Sequence, residues 1–341
     1  LGLMPAVLPS KQRKILAKKE FYFALILGFL IILPNLYWQY SNHFPIVHHM
    51  KELAKTQLVN VNLADFLKEQ ILFFIGGLFV ILAGLYAVLF YQPFKKYQLF
   101  FASFIFTLLI FIYFKAKAYY AIGLYPIYLA FGAVYISDIV NNGWKRYLKP
   151  VFILIPLLLF IPIYNVAFPN KSPEYMVAHS EPYKKLGMLR WEDGKEHHLP
   201  QDFADMLGWK ELAIKTDSLY ALIPNQKETI VICDNYGQAG AINYYSKKGI
   251  KAVSFNADYL NWFDLSIKYK NLIRVKDFEE NDKEMKETSP YFETAVIGGQ
   301  VTNKYARGYG ATIFVFTNAK IDINKRLEQE INEEKNNITN E

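Results

Sequence analysis

Five long apolar segments lie in the first half of this chain, and none follows residue 168. They cover residues 21–37, 71–91, 99–114, 119–136 and 151–168, and none contains Asp, Glu, Lys, Arg or His. A helix needs about 20 mostly apolar residues to cross a bilayer. Five such segments leave too little polar chain to coat a soluble core. The sequence therefore predicts a polytopic α-helical membrane domain of about five transmembrane helices over residues 1–168.

The net charge of +7 is distributed unevenly. Residues 1–170 hold 15 Lys and Arg against 5 Asp and Glu, whereas the remainder holds 23 against 26. Because the positive charge belongs to the membrane half, it indicates membrane orientation and not nucleic-acid binding. Ten basic residues fall in loops on one side of the predicted membrane and five on the other. The side with ten is expected to be cytoplasmic, which places residues 169–341 outside the cell membrane.

The remaining segments predict a loop with helices and a small second domain. Residues 38–70 carry recurring apolar side chains, which favours one or two amphipathic helices on the outer membrane surface. Residues 169–320 alternate between helical and strand patterns, which is typical of an extracytoplasmic α/β domain. The predicted strands are residues 229–233, 251–255, 271–275, 294–297 and 312–317, with helices at 201–222 and 239–248. Residues 321–341 form a charged tail.

The sequence KAKAYY, from Lys115 to Tyr120, places two lysines in a short turn between two apolar segments. The lysines would act as interface anchors, or they would bind an anion together with the phenol hydroxyls of Tyr119 and Tyr120. A phosphate at the lipid surface would be held there by charge-assisted hydrogen bonds. The anion-binding interpretation favours a lipid-linked phosphate over a free solute.

Two further groups of polar residues are candidates for a site. His43, His48 and His49 lie in the outer loop, but adjacent histidines on a helix diverge, which does not match zinc spacing. They are either polar surface residues or contacts for a phosphate, a sugar or a divalent ion. Asp234 and Asn235 follow the predicted strand 229–233, where α/β domains bind ligands. A plain strand-to-helix turn is the alternative for that segment.

The sequences PNLYWQYSNHFPIVHHMKELAKTQLVNV, KAKAYYAIGLYPIYLAFGAV and CDNYGQAGAINYYSKKG together resemble bacterial GT-C glycosyltransferases. The family is the dolichyl-phosphate-mannose protein mannosyltransferase superfamily, which includes the lipid A aminoarabinose transferases. The resemblance covers most of the chain up to about residue 318. It implies a multi-pass enzyme of the bacterial inner membrane that transfers a sugar from a polyprenyl phosphate to an extracytoplasmic protein or glycolipid, with inversion.

The resemblance also implies roles for particular residues. Lys115, Lys117, Tyr119 and Tyr120 would face the donor phosphate, while His48, His49 and Gln57 would line the catalytic cavity. Asp234, Asn235, Tyr236 and Tyr245 would contact the acceptor. The catalytic acid of the family is expected upstream of Leu1, so the chain is expected to be a fragment without activity of its own. The resemblance requires no cofactor, and it leaves open whether the site holds a divalent metal ion.

Two other functions remain open at this stage. A transporter or flippase for a lipid-linked sugar would share the phosphate site but would need no catalytic base. A membrane anchor that presents a non-catalytic α/β binding domain would need neither. Charged residues inside the apolar segments would favour transport, and the five segments contain none.

Overall fold

The computed structural model describes residues 1–278 and 281–340, and the chain divides into two compact units. The first unit comprises Leu1–Asn35, Glu52–Ser172 and the short segment Glu192–Gly194. The second comprises Leu36–Lys51, Pro173–Trp191 and the chain from Lys195 onward. Each unit has its own core, and the two are described separately.

The chain up to residue 168 is helical. Its α-helices are α1 (Leu3–Val7), α2 (Lys19–Ser41), α3 (Pro45–Thr56), α4 (Leu63–Leu72), α5 (Leu78–Phe90), α6 (Gln98–Tyr113), α7 (Pro126–Ile139) and α8 (Lys149–Ala167). Helices α3 and α4 fall in the loop that the sequence predicts to contain amphipathic helices, so their helical structure is confirmed.

Three helical stretches in the described chain are long and apolar enough to cross a membrane: Lys19–Ser41, Gln92–Tyr113 and Gly143–Ala167. A fourth is obtained if Ala118–Leu124 and Pro126–Ile139, which are bent by 46°, count as one span. The apolar helix Leu78–Phe90 is shorter. The structure therefore has three to four helices able to span a membrane, where the sequence predicts about five.

The difference arises where two predicted spans are interrupted. The segment 71–91 breaks between α4 and α5 at a turn that contains Gly76 and Gly77, and glycine disfavours a helix interior by about 1 kcal/mol. The segment 119–136 begins as a 3₁₀ helix and becomes α-helical at Pro126. Proline has no N–H to continue the preceding turn, although it is favoured at a helix start.

Helices α5 and α7 pack closely through glycine. A methyl group on Gly84 would lie 2.0 Å from the Tyr128 carbonyl oxygen, and one on Gly132 would lie 1.9 Å from that of Val80. Small residues allow apolar helices to approach backbone to backbone. Beside this contact, Ile81, Ala121, Tyr125 and Tyr128 form a buried cluster. The cluster fixes the N-terminal end of α7, which follows the KAKAYY turn in the chain.

Beyond residue 168 the chain folds into helices and strands. The described helices are α9 (Pro173–Ala178), α10 (Glu181–Leu186), α11 (Gln201–Ala204), α12 (Trp209–Leu222), α13 (Tyr236–Tyr245), α14 (Asn281–Thr288) and α15 (Ile323–Asn340). The strands are β1 (Thr229–Cys233), β2 (Ala252–Ser254), β3 (Asn271–Lys276), β4 (Phe292–Gln300) and β5 (Thr312–Ala319). Each of the five predicted strands is confirmed, with ends that differ by a few residues.

The five strands form one mixed sheet in the order β2-β1-β3-β5-β4. Strand β1 pairs in parallel with β2 and β3, while β5 runs antiparallel to β3 and β4. One face of the sheet is covered by residues from α12 and α13, including Leu212 and Ile242. Ile323 and Leu327 of α15 pack on the other face. The start of the predicted charged tail is therefore part of the core of the α/β unit.

Candidate functional site

The KAKAYY turn separates its two lysines. After α6 ends, Lys115 adopts a left-handed conformation with φ of +49°, and the N–H of Ala116 donates to the carbonyl of Phe111 at 2.8 Å. This reversal leaves the Lys115 side chain exposed, whereas Lys117 is partly buried. The two cations that look equivalent in sequence thus occupy different environments.

Lys117 is the centre of a polar cluster in the first unit. Its Nζ donates to Oε1 of Gln57 at 2.7 Å and also contacts Oε1 of Glu192 in an ion pair. The Lys117 and Glu192 side chains are 13% and 29% exposed. The ring of Tyr119 lies 6.0 Å from the ammonium. The sequence-predicted residues Lys117, Gln57 and Tyr119 are therefore brought together, around a carboxylate that was not predicted.

Buried hydrogen bonds hold the turn in place. Gln70, at the end of α4, donates from Nε2 to the Ala118 carbonyl at 3.1 Å and accepts at Oε1 from the Tyr125 hydroxyl at 2.9 Å. Both side chains are buried. Because a buried amide that loses a partner costs about 1–3 kcal/mol, this pair restrains the backbone next to Lys117.

Hydrogen bonds to the backbone hold Glu192 within a tight turn. Nδ2 of Asn60 donates to the Glu192 carbonyl at 2.9 Å, and the Trp191 N–H donates to the Lys195 carbonyl at 2.9 Å to close a tight turn. Within it, Gly194 has φ of +79°, and a methyl group there would lie 2.8 Å from Oδ1 of Asn60. Glycine is thus favoured both by conformation and by space. The Glu-Asp-Gly-Lys sequence signals a turn, but nothing in it points to Lys117.

The tyrosines predicted for the donor site pack on each other, and the histidines predicted for the cavity lie on α3. Tyr119 and Tyr120 meet edge to face at 4.7 Å, and each is about half exposed. His48 and His49 lie on α3 within residues 36–51 of the second unit, whereas Lys117, Gln57 and Glu192 belong to the first. Their proposed place in a cavity stays a prediction.

The acceptor residues predicted after β1 form a structured turn. Oδ1 of Asn235 accepts from the Gln238 N–H at 3.0 Å and caps α13. Asp234 contacts Nζ of Lys276 through Oδ1 at 2.6 Å and accepts from the Asp277 N–H through Oδ2 at 2.8 Å. The polar side chains of Asp234 and Asn235 are thus engaged in joining β1, β3 and α13, as the strand-to-helix interpretation expects.

Asp277 lies beside this turn at the carboxyl ends of the parallel strands. Its Oδ1 accepts from Nε2 of Gln238 at 2.7 Å. Removal from water and the neighbouring Asp234 carboxylate raise the pKa of Asp277, while hydrogen bonds from Asn235 and Gln238 oppose the rise. The Tyr236 and Tyr245 rings nearby are about half exposed. They remain available to a ligand, and their acceptor role stays a prediction.

Among the described residues, no three His, Cys, Asp or Glu side chains are grouped to hold a metal ion. Comparison with protein-family models, with curated proteins and with solved structures finds no match to this chain.

Proposed function

We propose that this chain acts in a membrane-embedded glycosyltransferase that uses a polyprenyl-phosphate sugar as donor. The observation that carries the proposal is the partly buried Lys117 ammonium, which lies in the turn between the apolar helices α6 and α7. A cation at that position suits the phosphate of a lipid whose chain lies in the bilayer. The KAKAYY resemblance supports the same assignment.

The proposed orientation follows from the basic residues of the loops. Because the side with ten cations is expected to be cytoplasmic, the KAKAYY turn and the α/β unit lie on the extracytoplasmic side. In a bacterium this membrane is the inner membrane. The acceptor is then a protein or glycolipid presented outside the cytoplasm, and the α/β unit contacts it.

In the resting protein Glu192 serves as the counter-ion of Lys117. When the donor binds, its phosphate replaces the Glu192 carboxylate at the ammonium, and the hydroxyls of Tyr119 and Tyr120 donate to further phosphate oxygens. Two unit charges 4 Å apart at an effective dielectric constant of 20 interact by about 4 kcal/mol before desolvation. Lys117 thus has an anionic partner both before and after the donor binds. The empty site therefore does not have to hold an unpaired buried ammonium.

Sugar transfer then proceeds by displacement at the anomeric carbon. The acceptor oxygen forms a bond to that carbon, the bond to the phosphate oxygen breaks, and the polyprenyl phosphate leaves with the electron pair. Lys117 stabilises the charge that develops on the leaving oxygen; such preorganised donors contribute about 10²–10³-fold in rate. The acceptor proton passes to a carboxylate that acts as the general base, as the resemblance implies.

A binding measurement on the full chain in lipid nanodiscs tests the proposal. A fluorescent polyprenyl-phosphate hexose should bind saturably, and Lys117→Ala should weaken binding by about tenfold or more, since a charge-assisted hydrogen bond contributes about 1.5–3 kcal/mol. The exposed Lys115→Ala serves as the matched control and should have a smaller effect. Equal binding by both variants and the parent chain would exclude Lys117 as the phosphate contact, and a lack of saturable binding by the parent chain would favour a membrane anchor without a donor site.

A further inference from the structure

Strand β3 carries charged side chains where the sheet would otherwise be apolar. Ile273 and Val275 face one core, and Leu272 faces the other. Arg274 and Lys276 alternate with Ile273 and Val275, so they point to the same face as Leu272. The Arg274 side chain is 18% exposed and that of Lys276 is 9% exposed. Two cations in a core layer are costly unless each is well paired.

Lys276 is well paired, and Arg274 is not. Lys276 makes a 2.6 Å contact with Asp234. The contacts of Arg274 are 3.9 Å to Asp234 and 3.6 Å to Glu284, and both exceed hydrogen-bonding distance. Phe255 lies 5.9 Å from the guanidinium. A guanidinium has five N–H donors in a planar fork, so Arg274 retains donor capacity.

A cleft of about 310 Å³ adjoins this guanidinium, between the sheet, α14 and α15. Arg274, Lys276, Lys283 and Arg326 contribute cations to its lining, and Glu284, Glu287 and Glu330 contribute carboxylates. Lys276 is neutralised by Asp234, and Arg326 by Glu330 at 2.6 Å. Arg274 thus differs from Lys276 and Arg326, because it is largely buried and both of its contacts with carboxylates are long. The volume lies at the lower end of that for small-molecule pockets.

We propose that this cleft binds a small sugar-sized molecule carrying a phosphate or carboxylate group, with Arg274 as the principal contact for its oxygens. Lys283, which also lines the cleft, attracts the anion together with Arg274, while Arg326 stays paired with Glu330. Glu284 competes for Arg274 in the empty protein, which accounts for its position 3.6 Å away. This inference concerns the α/β unit alone and does not depend on the proposed glycosyltransferase activity.

Calorimetric titration of the full chain in detergent tests the site. The probes are inorganic phosphate, glucose 1-phosphate, glucuronate and uncharged glucose. Binding should be saturable for glucose 1-phosphate or glucuronate, should weaken as salt is added, and should be lacking for glucose. Comparison of the sugar phosphate with the sugar acid and with free phosphate identifies the preferred anion. Failure of all three anions to saturate the protein would overturn the proposal.

Three variants assign the binding to Arg274. Arg274→Met should weaken binding by about tenfold or more, because it removes hydrogen bonds to a charged group. Glu284→Gln should leave binding unchanged or strengthen it, because it removes the competing carboxylate. Arg307→Met, an exposed arginine outside the cleft lining, is the matched control.

The opposite directions expected at the two positions separate a ligand site from a structural ion cluster. Loss of binding in Glu284→Gln to the same extent as in Arg274→Met would overturn the proposal, as would full binding by Arg274→Met. Should Arg274→Met fail to fold, Arg274→Lys keeps the charge but lacks the fork. That variant should bind several-fold more weakly than the parent chain, and equal affinity would contradict the assignment.

Discussion

The Lys117 ammonium and the Glu192 carboxylate form an ion pair between residues 75 positions apart in the chain. The Gln57 side chain shares the same ammonium at 2.7 Å. Both side chains are largely shielded from solvent. Removal of one charge therefore leaves the other poorly solvated and without its partner's attraction, which is destabilising. Through its contacts with Glu192 and Gln57, the Lys117 ammonium therefore links three distant parts of the first unit.

Substitution of Lys117 should destabilise the protein. Lys117→Met leaves Glu192 without this ammonium and removes the Gln57 contact, so we expect a loss of about 1–3 kcal/mol in the free energy of unfolding. Thermal unfolding of the full chain in detergent, followed by tryptophan fluorescence, measures the loss as a lower Tm. Lys115→Met is the matched control, since Lys115 is exposed. Equal Tm values for the two variants would contradict the observed pairing.

The glycine contact between α5 and α7 should not tolerate a methyl group. Gly132→Ala would place its Cβ 1.9 Å from the Val80 carbonyl oxygen, and the helices would have to separate. Such overpacking costs about 1–3 kcal/mol or more, which should lower the Tm by several degrees. Gly28→Ala is the control, because a methyl group on Gly28 in α2 would have no neighbour within 4 Å. A similar Tm for both variants would exclude close packing at Gly132.

The stability of the α/β unit should depend on Glu211 at low pH. Burial opposes ionisation of Glu211, but hydrogen bonds from Lys215, Thr302 and Asn303 lower its pKa from 4.5 to about 2. Because the folded pKa is depressed, the ionised carboxylate stabilises the fold above about pH 5, and this contribution is lost as the pH falls towards 2. The stabilisation is at most about 3 kcal/mol, and solvent screening reduces it.

Urea unfolding of the full chain at several pH values measures this dependence. The parent chain should lose stability as the pH falls from about 5 to about 2, and Glu211→Gln should flatten that part of the profile because it cannot titrate. Glu328→Gln, on the exposed surface of α15, should preserve the parent profile. An unchanged slope in Glu211→Gln would assign the acid sensitivity to other carboxyl groups.

The side of the membrane on which the KAKAYY turn lies can be determined with cysteine chemistry. Cys233 is the only cysteine, and its burial in β1 raises the pKa of its thiol, so it should react slowly in the folded protein. In a Cys233→Ala background, Lys115→Cys should react with a membrane-impermeant maleimide added to intact cells. Labelling only after the inner membrane is disrupted would place the turn in the cytoplasm and exclude the proposed donor site.

Local patterns were sufficient for much of the fold. Strands β1, β2, β3 and most of β5 are short segments buried on both faces, so their composition signals a strand, whereas β4 lies at the edge of the sheet and is largely exposed. The breaks at Gly76 and Pro126 were not predicted as breaks, because an apolar composition indicates a membrane environment without specifying a continuous helix. Hydropathy therefore predicts where the chain is apolar, but it does not predict the length of each helix.

The candidate site was predictable only in part. The KAKAYY motif marked Lys117, and the resemblance marked Gln57, so two of the three partners came from the sequence. Glu192 could not be found this way, because its turn is local while its contact spans 75 positions. The cleft beside Arg274 is also not predicted from the sequence, since Arg274 alternates with core residues in β3 and meets Glu284 only after α14 folds onto the sheet.

The sequence by itself determined that an apolar helical half precedes an α/β half, because hydropathy and strand periodicity depend on neighbouring residues. The tertiary structure alone decided which lysine is paired and which is exposed, and which arginine of the sheet keeps free donors beside a cleft. These properties depend on the distances between charges brought together by folding, and electrostatic energy varies with distance and burial rather than with position in the chain.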